Sequence, residues 1–508
     1  MRILCLGNNT EDTDLKTTQL ANQAGSINHG LLNELDGPLD EILYQNHGFY
    51  HSTIFDISWP NLLKLAENFD QVIMLDQPKT NWSHPNAWMN TIKLVSELGN
   101  KGRFIDHSYL EYLSYFKNLL NNNKAFCIHP FIQLHVVGQN SVLCCLSNEP
   151  VAETNTIKDF GTDVRYQNIR NKILQGNPVA NCKQCYKVES QGLVSDRQIA
   201  TIEWSNRLNL STLDDLKAIS SPVFYDIRPS NKCNLMCRMC RPEDSHLIEK
   251  EYKAIGLIPN TPIKTLRATG FDIIQYDKLE QVTIAGGEPT LMPELYQWLD
   301  DCVANGRTNF GIQIQTNGNK INARLKKLVK NFSNISFAFS IDGYGELNRY
   351  IRWPSDWDST IENLRYFYHS KHPVVITCTV SIYNVWNLGD FFEFLDHNFP
   401  NIYVNFSMVN GPSCMVPTLF PDHAVALKGL LKAKQSRICK NHNKKIETIL
   451  DSLINHFSQN PSLDVEKLKD FFDINDKLDK SRSVYLKDYI PYLEKFRTKV
   501  ACLTENNL

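Results

Sequence analysis

The chain has 508 residues, of which 42% are apolar and 21% charged, and its formal net charge is −2 at pH 7. This length suffices for two or three domains with cores of their own, and the near-neutral charge argues against a nucleic-acid or membrane-surface partner. No apolar run reaches the roughly 18 residues of a membrane helix, and the start lacks the apolar stretch of a signal peptide. We therefore expect a cytoplasmic protein.

Residues 1–110 are predicted to form a small α/β domain. Buried strands are indicated at 3–6 and 70–75, with an amphipathic helix over 59–69. The polar turn at 7–10 follows the first strand and could surround an anion or nucleotide with backbone amides, and His51, Asp76 and His84 could line a pocket there. A docking or scaffold role is the favoured interpretation, because no phosphate-binding loop or nucleophile elbow is present.

Residues 120–200 contain a group of closely placed cysteines. Cys127 precedes a predicted strand at 133–137, and Cys144 and Cys145 follow a second strand at 141–143, so a hairpin has cysteine at both ends. A C-x2-C pair, Cys182 and Cys185, lies further along. Fourteen cysteines clustered in this way indicate metal binding rather than disulfides. The pattern resembles the twitch module, a shortened SPASM domain, which implies an auxiliary iron–sulfur cluster.

Alternatives remain open for these thiols. Four thiolates suit a structural zinc ion equally well on spacing alone. One zinc shared between the C-x2-C pair and a later motif at Cys237 and Cys240 is a further alternative, and it would leave Cys233 without a partner. Most SPASM proteins have the module after the catalytic core, whereas here it comes first. Cys145 is preferred to Cys144 as a ligand, because the module usually has its cysteine several residues past the turn.

A regular alternation of strands and helices follows a linking helix over residues 195–221. Six strands are predicted, at 223–227, 282–285, 311–315, 335–341, 374–380 and 402–408. Amphipathic helices between them are predicted at 291–303, 322–329, 359–368 and 388–395. This alternation indicates a parallel sheet with right-handed crossovers over residues 220–415, with its chemistry at the carboxyl ends of the strands.

Polar motifs occur where these predicted strands end. After the first strand comes a C-x3-C-x2-C motif, whose three thiolates are natural ligands for an iron–sulfur cluster. A four-iron cluster held by three cysteines leaves one iron open for chemistry. The residues concerned are Cys233, Cys237 and Cys240, then Gly286, Gly287 and Glu288 after the second strand, Asn317 after the third, and Ser340 and Asp342 after the fourth.

These motifs, in this order, resemble those of the radical S-adenosylmethionine (SAM) superfamily over residues 222–410. The resemblance implies an α/β fold with an open, partial (βα)6 TIM-like barrel. It also implies a [4Fe-4S] cluster on Cys233, Cys237 and Cys240, with SAM bound to the open iron. The implied reaction is reductive cleavage of SAM to methionine and a 5′-deoxyadenosyl radical, which abstracts hydrogen from a C–H bond.

The resemblance also implies roles for individual side chains. Glu288 would accept the SAM ammonium next to two glycines that permit close backbone approach, and Arg352 would clamp the SAM carboxylate. Met239 would pack on the adenine, where the superfamily often has an aromatic residue. Ribose or carboxylate contacts are expected from Asn317, Ser340 and Asp342, with Ser381 and Asn384 as weaker candidates. Asn234, Arg238 and backbone amides would donate hydrogen bonds to the cluster sulfurs.

Each of these residues also has a purely structural interpretation. The two glycines could form a simple turn, Asp342 could start one, and Arg352 could be a surface salt-bridge partner. Beyond residue 415 we expect a helical extension, 416–508, with helices at 424–457 and 465–472 packed on the barrel. Cys302, Cys378, Cys439 and Cys502 are interpreted as isolated buried thiols, and Cys414 as a thiol that could approach a cluster.

The leading functional prediction is a radical SAM enzyme acting on a peptide or protein, because enzymes with this accessory module often modify such substrates. A small-molecule substrate, such as a sugar, nucleotide or amino acid, is the alternative. A non-catalytic protein that serves as an iron–sulfur or zinc scaffold is the third interpretation of the sequence. The implied partners are SAM, the substrate and an electron donor such as flavodoxin or ferredoxin.

Overall fold

The computed structural model describes residues 107–147, 149–190, 195–261, 270–370, 372–400, 402–409, 411–442 and 444–505, together with the backbone of four short strands nearer the start. The chain divides into two compact units. The first contains residues 1–133, 146–149 and 158–222, and the second contains 134–145, 150–157 and 223–508.

The first unit contains a four-stranded sheet and a set of helices. Its strands are β1 (Ile3–Gly7), β2 (Tyr44–Asn46), β3 (Phe49–Thr53) and β4 (Gln71–Met74), in the order β2-β3-β1-β4. Strand β1 is parallel to both neighbours, and β1 and β4 correspond to the strands predicted at 3–6 and 70–75. The helices are His107–Asn122, His129–Ile132, Val164–Leu174, Lys183–Ser190, Asp196–Arg207 and Leu213–Lys217.

Some predictions for this unit concern residues outside the described part of the chain. They are the helix over 59–69, most of the turn over 7–10, and the side chains of His51, Asp76 and His84. The linking helix predicted over 195–221 consists of two shorter helices, Asp196–Arg207 and Leu213–Lys217. Each begins with a capping box, in which Ser195 or Thr212 caps the first turn.

The second unit is organised around a nine-stranded sheet. Six of its strands run parallel and lie side by side in sequence order, which confirms the predicted parallel sheet. They are β8 (Phe224–Arg228), β9 (Gln281–Ile284), β10 (Gly311–Thr316), β11 (Ile335–Ser340), β12 (Val374–Val380) and β13 (Tyr403–Met408).

Helices follow each of the first five parallel strands and continue after the sixth. Those between strands are His246–Ala254, Pro293–Ala304, Ala323–Leu328, Glu346–Ile351, Trp357–Tyr368 and Leu388–Asn398. The extension after β13 contains His423–Gln435, Arg437–His442, Lys444–Ser458, Val465–Arg482, Leu486–Tyr489 and Pro491–Glu505. None of the described helices has both the length and the apolar character needed to cross a bilayer.

Local sequence explains where several of these helices begin. Asn322 caps Ala323–Leu328 by accepting a hydrogen bond from the Leu325 amide, and Asp356 caps Trp357–Tyr368 in the same way. Pro293 occupies the first turn of Pro293–Ala304, where its missing N–H has no cost. These signals place each helix directly after a strand and its loop.

Three antiparallel strands extend the sheet beyond β8. They are β5 (Gln133–Val137), β6 (Asn140–Val142) and β7 (Pro150–Glu153). The Gly138 amide donates to the Arg228 carbonyl at 3.0 Å, and His135 Nδ1 lies 2.8 Å from Asp226 Oδ2. The predicted hairpin is therefore present, but it belongs to the sheet of the second unit, whereas Cys127, Cys182 and Cys185 belong to the first.

The two faces of the parallel sheet differ in polarity, because side chains alternate along each strand. One face is apolar and buried, with Ile227, Ile284, Ile314 and Phe337 in register. The other face is mostly polar and less buried. It presents Asp226, Thr283, Gln313 and Ser336 in one registered row, and Ser340, Thr377 and Asn405 in another.

Candidate functional site

The three cysteines of the C-x3-C-x2-C motif lie together in the loop that follows β8. All three are partly exposed. Cys240 interacts electrostatically with both Cys237 and Cys233. Burial and, to a smaller extent, the neighbouring Cys237 thiol raise the pKa of Cys233 to about 12. A bound metal reverses such a shift, because it deprotonates its thiol ligands.

The cysteine loop is fixed by backbone hydrogen bonds. The amides of Met236 and Arg238 donate to the carbonyls of Trp353 and Ile351, at 2.6 and 2.8 Å. These bonds connect the loop to the segment that follows β11. Within the loop, the Leu235 amide donates to the Cys233 sulfur at 3.4 Å, as expected for a backbone amide beside a cluster ligand.

Two glycines allow the turn after β9 to approach the cysteine loop. The Gly287 amide donates to the Ser230 carbonyl at 2.9 Å, and the Glu288 amide donates to the Lys232 carbonyl at 2.7 Å. A Cβ on Gly287 would lie 2.0 Å from the Lys232 oxygen, and one on Gly286, whose φ is +124°, would lie 2.6 Å from the Ser230 oxygen. The sequence predicts that these glycines bring the backbone close to the cofactor. In the structure they bring the turn close to the backbone of the cysteine loop.

Gly287→Ala is expected to displace the cysteine loop, because the added methyl group overlaps the Lys232 carbonyl. Overpacking of this kind typically costs about 1–3 kcal/mol of stability. The measurement is the denaturant midpoint together with iron bound after anaerobic reconstitution, and both should fall. Gly411→Ala is the matched control, since a Cβ at Gly411 meets no atom within 4 Å. Equal behaviour of the two variants would contradict the proposed close packing.

Glu288 is completely buried and connects this turn to the loop after β10. Its Oε1 accepts from the Thr290 amide at 3.1 Å, the Thr290 hydroxyl at 2.6 Å and the Thr316 hydroxyl at 2.8 Å, and its Oε2 accepts from the Asn317 amide at 2.7 Å. Burial raises the pKa of Glu288, and these hydrogen bonds oppose the increase. Since a carboxylate oxygen accepts about two hydrogen bonds, Oε2 retains acceptor capacity.

Asn317 faces the cysteine loop from the end of β10. Its Nδ2 donates to Asn234 Oδ1 at 2.9 Å and lies 3.9 Å from the Cys233 sulfur. Asn234 therefore uses its side-chain oxygen to hold Asn317, and its own Nδ2 is buried without a hydrogen-bond partner among the described residues. Ser340 lies at the end of β11, and Met239 is half-buried next to Cys240.

Asp342 and Arg352 form a buried ion pair beside Cys237. The Arg352 Nη2 lies 2.7 Å from Asp342 Oδ2, and its Nη1 lies 3.8 Å from the Cys237 sulfur. The Arg352 side chain is only 13% exposed and Asp342 is fully buried, so the surface salt-bridge interpretation of Arg352 does not hold. Burial raises the pKa of Cys237, Arg352 lowers it and Asp342 raises it.

Ser381 and Asn384 support Asp342 rather than a ligand. The Asn384 Nδ2 donates to the Asp342 carbonyl at 2.7 Å and to the Thr379 carbonyl at 2.8 Å, while its Oδ1 accepts from the Ser381 amide at 2.8 Å. Both residues are buried. The weaker candidates of the sequence analysis are thus part of the scaffold, because their polar atoms are satisfied inside the protein.

Arg238 contacts the C-terminal extension instead of the cysteine sulfurs. Its Nε donates to the Tyr350 carbonyl at 3.0 Å, Nη1 to Asn475 Oδ1 at 2.7 Å and Nη2 to Asp479 Oδ1 at 2.6 Å. Its guanidinium carbon lies 3.6 Å from the centre of the Tyr350 ring. The predicted role of this side chain is therefore wrong, since its donors are used on the side of the extension.

The contacts of helix Val465–Arg482 were missed by sequence reasoning. Asn475, Asp479 and Arg482 are buried on this helix together with Leu468 and Leu478. Arg482 makes two hydrogen bonds with the Glu251 carboxylate, at 2.8 and 2.6 Å. The available signal was the continuation of the apolar helical period beyond residue 472, with polar residues in core positions.

The auxiliary cysteines fall in different units. Cys127, Cys182 and Cys185 are buried in the first unit, and all three interact electrostatically with the buried Arg197. Burial and, to a smaller extent, the nearby Cys185 thiol raise the pKa of Cys182 to about 11. In the second unit, Cys144 is partly exposed and Cys145 is exposed.

The isolated cysteines of the described residues are buried, as predicted for Cys302, Cys378 and Cys439. Cys414 is also buried, and it interacts with Tyr252 and Tyr383. The side chain of Cys502 lies outside the described part of the chain. Among the described residues, no three His, Cys, Asp or Glu side chains are close enough to hold a single metal ion. A four-iron cluster, in contrast, binds each cysteine through a different iron atom.

Comparison with protein families identifies the segment that contains this site. Residues 227–396 match the family model described as the Radical SAM superfamily. This segment is a radical SAM domain. It includes the three cysteines and the strand-end motifs up to Asn384. The twitch-like cysteines Cys127, Cys182 and Cys185 and the helix Val465–Arg482 lie outside the matched segment.

Solved structures show partial similarity to the chain. It is similar to anSMEcpe with bound AdoMet, with a TM-score of 0.31 and 17% identity over 42% of this chain and 60% of that one. It is also similar to Streptococcus suis SuiB bound to S-adenosylmethionine, with a TM-score of 0.28 and 17% identity over 49% of this chain and 53% of that one. The chain thus spans less than two thirds of the length of either neighbour. A comparison with curated proteins finds no significant match.

Proposed function

We propose that this chain is a radical SAM enzyme with a [4Fe-4S] cluster on Cys233, Cys237 and Cys240 at the open end of a partial (βα)6 barrel. The observation that supports this most directly is the mutual electrostatic interaction of the three thiols. They meet in a loop to which the Gly-Gly-Glu turn is hydrogen-bonded.

The donors around the cysteines fit such a cluster. The Leu235 amide, Asn317 Nδ2 and Arg352 Nη1 are directed at cysteine sulfurs. Nδ2 of Asn234 and Nε of Arg352 are buried without hydrogen-bond partners among the described residues. Hydrogen bonds to sulfur and nearby positive charge are the usual means by which a protein stabilises a cluster and adjusts its potential.

The same groups support the proposed binding of SAM. Oε2 of Glu288 retains capacity to accept from the SAM ammonium, and the unpartnered Nε of Arg352 is suited to its carboxylate. Asn317 follows β10, Ser340 ends β11 and Asp342 follows it, and these residues are proposed to contact the ribose or the carboxylate of SAM. Met239 is proposed to pack on the adenine, and Gly286 and Gly287 hold the turn close to the cysteine loop.

The bound cluster would supply the electron that cleaves SAM to methionine and a 5′-deoxyadenosyl radical. The residues of this chain would hold the sulfonium cofactor in one orientation. The buried Asp342–Arg352 pair and the buried Glu288 would keep charges fixed at the site. The electron would come from a donor such as flavodoxin or ferredoxin.

The polar face of the parallel sheet supports a peptide or protein substrate. The side chains of Gln313, Gln315, Thr377 and Asn405 lie on this face, and they make no side-chain hydrogen bond within the described part of the chain. Uncharged amides and hydroxyls in rows complement the N–H and C=O groups of a peptide backbone. A small, uncharged polar molecule such as a sugar is the second candidate, because it would use the same donors and acceptors.

An auxiliary iron–sulfur cluster on the twitch-like cysteines is part of the proposal. Cys127, Cys182 and Cys185 each interact electrostatically with the buried Arg197, whose guanidinium also forms an ion pair with Glu189. The auxiliary cluster would accept the electron that is lost when the product is oxidised, or it would bind the substrate. The alternative of a structural zinc ion has less support, because no three described His, Cys, Asp or Glu side chains lie close enough to hold a single metal ion.

Anaerobic reconstitution tests the proposal. We expect about four iron and four sulfide per chain for one cluster, and about twice that if an auxiliary cluster is present. With dithionite and SAM, mass spectrometry should detect 5′-deoxyadenosine, and peptides encoded nearby or small polar molecules should change its rate. A colourless, iron-free protein would contradict the proposal. Bound iron without SAM cleavage would favour a non-catalytic scaffold.

A further inference from the structure

A pair of opposite charges lies directly behind one of the proposed cluster ligands. Arg352 extends Nη1 to the Cys237 sulfur at 3.8 Å and Nη2 to Asp342 Oδ2 at 2.7 Å. The arginine thus lies between a sulfur ligand and a carboxylate. Any change in its charge, or in that of Asp342, acts on the cluster from a fixed short distance.

The pair is held rigidly from several elements. Asp342 Oδ1 accepts from the Thr379 amide at 2.8 Å, and the Asp342 amide donates to Asn348 Oδ1 at 3.0 Å. The Arg352 amide donates to the Asn348 carbonyl at 2.8 Å, and Asn384 Nδ2 donates to the Asp342 carbonyl at 2.7 Å. The Asp342 carboxylate cannot move far without losing the hydrogen bond from the Thr379 amide, and it holds the Arg352 guanidinium through the ion pair.

Burial strengthens the effect that the two charges have on a cluster bound to Cys237. Asp342 is fully buried and the Arg352 side chain is only 13% exposed, so solvent and salt screen both charges weakly. Reduction adds one negative charge to a cluster. A cation at a ligand sulfur therefore favours the reduced form, and a nearby anion disfavours it.

We propose that Arg352 and Asp342 set the reduction potential of the site cluster in opposite directions, with Arg352 raising it and Asp342 lowering it. This inference rests on the proposed function, and it concerns electron uptake rather than SAM binding. The electron would come from the external donor of the flavodoxin or ferredoxin class, and the two charges would affect how readily the cluster held by the three cysteines accepts it. Arg352 is in this sense a positioning residue that acts through Cys237.

The test is a redox titration followed by electron paramagnetic resonance, on reconstituted full-length protein in the absence of SAM. Arg352→Met should lower the equilibrium constant for reduction about tenfold, which equals about 59 mV for a one-electron couple. Asp342→Asn should raise it by a similar factor, because the amide keeps the shape and the acceptor for the Thr379 amide. Damage to the fold would not produce shifts of opposite sign.

Two further variants complete the experiment. Arg324→Met removes a charge from an exposed pair with Asp300 in the same domain, and its potential should equal that of the wild type. Arg352→Lys keeps the charge, so its potential should remain close to the wild-type value. If Arg352→Met binds no iron, the comparison of Arg352→Lys with Asp342→Asn tests the inference. The reduction potential of Asp342→Asn should then be higher than that of Arg352→Lys.

The outcomes separate the two levels of the proposal. An iron-free wild type overturns the proposed function itself. A normal cluster whose potential does not increase in Asp342→Asn overturns only the inference. Shifts of the same sign in Arg352→Met and Asp342→Asn overturn it as well.

Discussion

Cys237→Ala is expected to reduce SAM cleavage by more than about 100-fold. The variant keeps two of three thiolates in the loop, and a four-iron cluster with two protein ligands is weakly held. Even residues that only support a metal ligand typically cost 10–100-fold when replaced. The measurement is 5′-deoxyadenosine formed under dithionite, together with iron and sulfide per chain in the same preparation.

The control for this experiment is another cysteine of the radical SAM domain. Cys302 is buried in helix Pro293–Ala304, near the Tyr276 hydroxyl. Cys302→Ala should retain full iron content and SAM cleavage, because this thiol has no proposed ligand role. Wild-type cleavage by Cys237→Ala, or equal losses in the two variants, would show that the cysteine loop does not hold the reactive cluster.

Arg238→Met is expected to destabilise the second unit by about 3–5 kcal/mol. The substitution leaves the Asp479 carboxylate buried without its cation. Burial already raises the pKa of Asp479, and the charge of Arg238 opposes this increase. Asp479 would keep hydrogen bonds from the Tyr350 hydroxyl and the Leu486 amide, at 3.0 and 2.6 Å, but these do not neutralise a charge. The measurement is the denaturant midpoint of unfolding.

Two comparisons define the size of this effect. Arg324→Met breaks an exposed pair, which should cost no more than about 1 kcal/mol. The double variant Arg238→Met with Asp479→Asn removes both charges and should recover part of the loss, since the unpaired buried carboxylate accounts for much of it. A cost for Arg238→Met as small as that for Arg324→Met would contradict the anchoring role.

The structural support of the cysteine loop includes residues outside the segment that matches the family model. The family match ends at residue 396, whereas Asn475 and Asp479 contact a residue that lies between two cysteines of the motif. We therefore expect Arg238→Met to lower the iron content as well as the stability. The helix Val465–Arg482 is in this view part of the support of the cysteine loop.

The sequence by itself was sufficient to predict the strands of the main sheet and the positions of the motifs at the strand ends. The six predicted strands match β8 to β13 within one or two residues. Strand and helix periods arise from neighbours two to four residues apart, so they can be read locally. The cysteine spacing and the strand-end motifs are equally local, and they identify the radical SAM domain that the family comparison confirms.

Tertiary structure decided what each polar side chain does. Glu288 accepts hydrogen bonds from Thr316 and Asn317, Arg352 pairs with Asp342 beside Cys237, and the hairpin joins the sheet at β8. Arg238 and Asp479 are 241 positions apart in the chain, and no local pattern relates them. A buried charge must find a partner wherever the fold brings one close, because the cost of leaving it unpaired is set by the folded environment and not by the adjacent sequence.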